Sequence, residues 1–128
     1  MSSIFSKIIS GEIPCHKIAE DDKHLAFLDI TPLVKGHTLV IPKVETDYIF
    51  DIDDNDLADL IVFSKNVSKL IKSAIPCKKI GVTVIGLEVP HAHIHLLPMN
   101  SISDMNFSGP KLQISNEDLA EIASHIRK

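Results

Sequence analysis

Residues 90–98 read PHAHIHLLP: His91, His93 and His95 alternate with Ala92, Ile94 and Leu96 between two prolines. Strict alternation is the signature of an extended chain, in which neighbours point to opposite faces and residues two apart lie roughly 6.5–7 Å from each other. The spacing therefore predicts a strand over 91–97, with three imidazoles on one side and three apolar side chains on the other. Inert burial of three imidazoles is costly, because each ring carries a donor and an acceptor that need partners. Crowding also disfavours more than one positive charge, which keeps neutral, nucleophilic ring nitrogens available. The imidazole side is thus expected to face a cleft or solvent. From the residues alone two chemistries stay open. The row can bind a metal, with His37 or Glu88 as a further ligand, or one ring can attack phosphorus while its neighbours orient it.

Outward from this stretch, KIGVTVI (79–85) reads as the preceding strand, joined to the histidines by a tight GLEVP connection. Upstream, Asp53 and Asp56 have cap-box spacing, and Leu57, Leu60, Ile61, Ser64, Val67, Leu70, Ile71 and Ala74 trace one helical face until Pro76. This long helix is expected to cover the apolar side of the sheet and to supply most of the stability. HKIAED and HLAFLDI form two short strands with EDDK as their turn, and LVKGHTLVIP holds a third strand, introduced by Gly36 and stopped by Pro42. Phe5 and Ile8 place a short N-terminal helix that ends at Gly11, and Ser115 with Asp118 caps a C-terminal helix. Strands mixed with helices of unequal length indicate an α+β fold rather than a doubly wound sheet.

The whole chain of 128 residues suits one domain, 1–128, and its 45% apolar content excludes disorder. No apolar run approaches the ~18 residues of a membrane span. The opening MSSIFSKIIS is too weak for a secretory signal, so a cytoplasmic location is expected. A net charge of −4 with no basic stripe argues against general affinity for nucleic acid, though a single nucleotide needs only a few donors. Cys15 and Cys77 are far apart and outside any Cys-x-x-Cys pair, so two buried, reduced thiols are expected.

HAHIHLL resembles the signature of the histidine triad family, in which three histidines alternate with apolar residues. SIFSKIISGEIP and EDDKHLAFLDITPLVKGHTLVIPK occur in the order found in the family's Hint-like branch. That resemblance implies an antiparallel sheet of about five strands with one long helix packed on it, short terminal helices, and a homodimer with a purine nucleotide pocket in each subunit. It implies hydrolysis of the bond between a nucleoside 5′-monophosphate and its leaving group, typically an amine, without metal or other cofactor. Dinucleoside polyphosphate hydrolysis, or nucleotide binding with little turnover, are the other readings it leaves. By the same resemblance His93 is the nucleophile that forms a nucleotidyl-histidine, His91 orients it, His95 hydrogen-bonds the phosphate and His37 completes the site. Asp29 matches the carboxylate on the ribose hydroxyls. Phe5, Ile8, Ile13, Leu28 and Ile30 match the apolar slot for the base, and backbone N–H groups of GLEVPHAH are expected on the phosphate oxygens.

The chain also departs from the pattern. Many bacterial relatives hold a structural zinc with a Cys-x-x-Cys near the N-terminus and a His shortly after PK. Ser3, Ser6 and the VETD that follows IPK replace these here, so no zinc is expected. Leu87 and Glu88 stand where a Gln and a small polar residue or Glu are common, and Glu88 is the candidate for recognising a cationic leaving group.

Overall fold

The computed structural model describes residues 3–128; the first two residues of the N-terminal reading lie outside them. Helix α1 (Ile4–Ile9) starts at Ser3, whose Oγ accepts the Ser6 N–H, and gives way at Ser10 to Gly11 with φ +85°. Strands β1 (Lys17–Glu20), β2 (His24–Leu28) and β3 (Thr38–Pro42) follow as an antiparallel meander. The chain then crosses the sheet through α2 (Asp54–Ala74), capped by the Asp53 carboxylate on the Asp56 N–H. Strand β4 (Lys79–Thr83) lands at the far edge, β5 (Ile94–Met99) returns between β4 and β3, and α3 (Asn116–Arg127) ends the chain on a Ser115 cap.

The resulting order, β1-β2-β3-β5-β4, is antiparallel throughout and gives the sheet two unlike faces. On one, Ile18, Ala26, Leu28, Val40, Ala92, Ile94 and Leu96 meet Leu60, Val67 and Ile71 of α2 and Leu119, Ala123 and Ile126 of α3 in the larger core. The other carries a smaller cluster in which Leu25, Phe27, Leu39 and Ile41 pack with Phe5 of α1. Burial of a large aliphatic side chain stabilises by roughly 1.5–3 kcal/mol, so the helix-covered face supplies most of the stability, as its periodicity predicts.

Several boundaries differ from the sequence reading. The ladder of β5 begins at Ile94, because residues 87–91 bend and only Ile94 onward is positioned to pair with β3 and β4. His91 and His93 therefore precede the strand, although Ala92 still points into the helix-covered core. The connection from β4 is correspondingly longer than GLEVP. Ile61 lies at the edge of the α2 stripe and is half exposed, while Phe63 packs against the core instead. Cys15 and Cys77 are free but only partly buried.

Candidate active site

All three histidines lie opposite the helix-covered core and are at least 90% buried, at 0, 7 and 6% exposure for His91, His93 and His95. The His93 and His95 rings are 4.9 Å apart, and the Phe5 ring meets that of His93 edge-on at 5.0 Å. His37 joins them from the turn before β3. That turn needs glycine at position 36: φ is +90°, and a Cβ there would overlap Ile75 Cδ1.

Fixed backbone groups decide which nitrogens carry protons. The Leu33 N–H donates to His37 Nδ1 at 3.1 Å, so a neutral His37 holds its proton on Nε2. That N–H donates to His95 Nδ1 at 3.0 Å, which leaves the His95 proton on Nε2. For His93 the polarity is reversed: its Nδ1–H donates to the His91 carbonyl at 2.9 Å, leaving a lone pair on Nε2. His91 donates from Nε2 to the Pro42 carbonyl at 2.8 Å and receives the Ser3 hydroxyl on Nδ1, also at 2.8 Å. Among the described residues neither His93 Nε2 nor His95 Nε2 has a protein partner, and no buried side-chain nitrogen or oxygen is left unpaired. Both atoms are therefore open to solvent. A nucleophilic nitrogen on one ring thus stands beside an N–H donor on the next, with the ring centroids 4.9 Å apart.

Electrostatics keep the donor rings neutral. Burial, then the neighbouring His93 and His37, pushes His95 down to about 4. Burial lowers His37 against the pull of Asp29, with Lys111 and His93 adding to the depression. Burial likewise lowers His91, opposed by the Pro42 carbonyl and Glu45. Asp29, His37 and His95 offer ligand atoms within 4.8 Å of one another, close enough for a metal ion. The donor set does not fit one. With Leu33 donating to Nδ1, His37 has no lone pair to give from Nε2 unless that backbone bond is lost.

The HIT domain model matches residues 10–102. The chain belongs to the HIT family. It is 36% identical to the adenosine 5′-monophosphoramidase of Schizosaccharomyces pombe, over 98% of this chain and 96% of that one. An uncharacterised HIT-like protein of Borreliella burgdorferi is also 36% identical, over 96% and 94%. Among solved structures, a Hit-like protein from Bartonella henselae superposes with TM-score 0.84 at 34% identity, covering 98% of this chain and 95% of its own. A zinc-bound histidine triad protein from Mycobacterium smegmatis gives 0.83 at 26%, covering 99% and 91%.

Within this HIT chain, Asp29 reaches the triad face, with Oδ2 3.6 Å from His37 Nε2. Phe5 lies against the triad, and Ile8 packs partly buried on the same cluster. Ile13 is partly buried; Ile30 is exposed, and Glu88 is exposed on the bend before His91. Leu28 is a correction: alternation along β2 turns it into the core under α2, and Phe27 takes the triad side. The backbone expectation is also corrected in part, because the His91 and Ala92 N–H groups already bond Val89 and Thr46 carbonyls at 2.8 and 2.6 Å.

One group escaped the sequence reading. Phe107, beyond the family match, lies edge-on to His95 at 4.9 Å and to His37 at 6.1 Å. At the N-terminus, Ser3, Ser6 and Glu45 do come together beside His91, but as a hydrogen-bonded cluster: Glu45 Oε1 accepts the Ser3 N–H and the Ser6 hydroxyl, both at 2.7 Å. A cavity of about 480 Å³ between the β1–β2 turn and α2 contains none of these residues, and its Asp21 carboxylate is already bonded to His24.

Proposed function

We propose that the chain is a nucleotidyl hydrolase that releases a purine nucleoside 5′-monophosphate from its leaving group, of the phosphoramidate type. The observation that carries the reading is the opposite polarity of two adjacent rings, 4.9 Å apart: a lone pair on His93 Nε2 and a proton on His95 Nε2, neither taken by a protein partner. The phosphoramidase name of the S. pombe relative supports the substrate class. In this reading His93 Nε2 forms a bond to the α-phosphorus as the phosphorus–nitrogen bond breaks, and the amine leaves with a proton from solvent. His95 donates to a phosphate oxygen as charge gathers there. Water then cleaves the nucleotidyl-imidazole and restores His93. No step needs a cofactor or metal.

His37 holds the His95 tautomer, and His91 aims His93 through its carbonyl. Asp29 binds the ribose hydroxyls. Phe5, Ile8 and Ile13 line the base slot with Phe27, Ile30 stands at its rim, and Glu88 contacts the leaving group. The functional unit is one domain, 1–128, working as a homodimer in the cytoplasm. Exposed Val82 on the β4 edge and exposed Ile61 on α2 support the pairing. No helix among the described residues is long and apolar enough to cross a membrane.

Adenosine 5′-phosphoramidate incubated with the protein should yield AMP, and His93→Ala should lower turnover on the order of 10³-fold or more. Equal rates for the two proteins would overturn covalent catalysis at His93. Tight AMP binding with no turnover of any leaving group would turn the reading into a binding module.

A further inference from the structure

The Ser3–Ser6–Glu45 cluster is joined to the nucleophile by an unbroken set of bonds. Glu45 Oε1 holds the Ser3 N–H and the Ser6 hydroxyl; Ser3 Oγ is 2.8 Å from His91 Nδ1; and the His91 carbonyl takes the His93 Nδ1–H at 2.9 Å. Each end of the His91 ring is thereby assigned. Pro42 is a carbonyl and only accepts, so His91 Nε2 must donate. His91 Nδ1 must then accept, and Ser3 is the hydroxyl that supplies the proton. Ser3 Oγ accepts the Ser6 N–H at 3.0 Å and has one proton to give; His91 Nδ1 at 2.8 Å is a much nearer acceptor than the Ser6 hydroxyl oxygen at 3.4 Å, and the Ser3 N–H is anchored by Glu45. The Ser6 and Ser3 donors pull the Glu45 carboxyl down to about 2, so the anchor stays ionised through the neutral range.

We propose that Glu45 and Ser3 are positioning residues for the reaction, locking His91 as its Nε2–H tautomer and so holding the carbonyl that aims the His93 ring. The inference rests on the functional reading above for its kinetic consequence, but not for its structural one. The cluster ties α1, the segment after β3 and the bend before β5 into one unit with side-chain hydrogen bonds. Neither residue hydrogen-bonds His93, His95 or His37, so substrate affinity should be little affected by its loss.

Ser3→Ala, Glu45→Ala and Glu45→Gln, with Ser3→Thr as the conservative variant, test this. In the parent, ¹⁵N-detected NMR of the ring nitrogens should show His91 as a single Nε2–H tautomer and His93 with a slowly exchanging Nδ1 proton. Ser3→Ala and Glu45→Ala should mix the His91 tautomers, speed exchange of the His93 proton, and lower kcat roughly tenfold or more while KM stays within about twofold. Ser3→Thr should restore both signatures, and Glu45→Gln should fall between, since its amide oxygen still accepts. A role confined to capping α1 would lower the melting temperature of Ser3→Ala yet leave the His91 spectrum and kcat unchanged, and that result would overturn the proposal. Were the parent itself inactive toward every leaving group, the functional reading would fall. The tautomer and exchange data would still decide whether Ser3 and Glu45 hold His91.

Discussion

A ring buried among other rings resists taking a proton, and His95 carries that cost most clearly. Its value near 4 in the fold lies below the ordinary 6.5. The unfolded chain therefore binds more protons over that interval, and stability falls as acid is added. The contribution is fully present above about 6.5, declines as the pH drops from there toward 4, and levels off below it; His37 and His91, shifted in the same direction, add to the slope. Denaturant titrations at a series of pH values should show the midpoint falling through this window, with a shallower fall in His95→Asn. Equal slopes for the two proteins would show that His95 is not the group responsible. Much of this site was legible in the alternation of residues 91–95, because period two on an extended chain leaves only one way to gather the rings. What could not be read was the tautomer chain. It depends on the Leu33 N–H and the Pro42 and His91 carbonyls, backbone groups that no residue type advertises.

At the level of elements, caps and apolar periods located all three helices within a residue or so. The Asp53, Ser115 and Ser3 side chains each take the N–H three residues on, which is the local chemistry their positions imply. Strand limits were harder, since they depend on partners. Residues 91–93 carry a strand's alternation but precede the ladder, which begins at Ile94 after the bend over 87–91. Leu28 and Phe27 were equally apolar in sequence; only the register of β2 against β3 assigns one to each face. Phe107 was out of reach for another reason, because it approaches His95 from an irregular segment with no period to read. The turn into β3 makes the sharpest prediction at this scale. Gly36→Ala combines a left-handed backbone with a Cβ overlapping Ile75 and a close approach to Pro98. It should cost about 2–4 kcal/mol in chemical unfolding. It should also weaken turnover, since His37 is the next residue. A variant as stable and active as the parent would show that the turn relaxes freely.

Over the whole molecule, the strand order puts β5 one place from the edge, and β4 presents that edge with Val82 exposed. Pairing of two copies along β4 is the expected association. Sedimentation equilibrium should report a dimer for the parent and a shift toward monomer for Val82→Lys, whose charge opposes edge pairing. A monomeric parent at tens of micromolar would remove that expectation. The unequal thickness of the two sides has a consequence for redesign. Anchoring falls to the hydrocarbon beneath α2 and α3, whereas the proposed base slot belongs to the thinner layer around Phe5 and Phe27. Volume-conserving exchanges in that layer, chosen for a different heterocycle, leave the larger core untouched. On the proposed reading, ligand preference would change under such exchanges while the architecture endures.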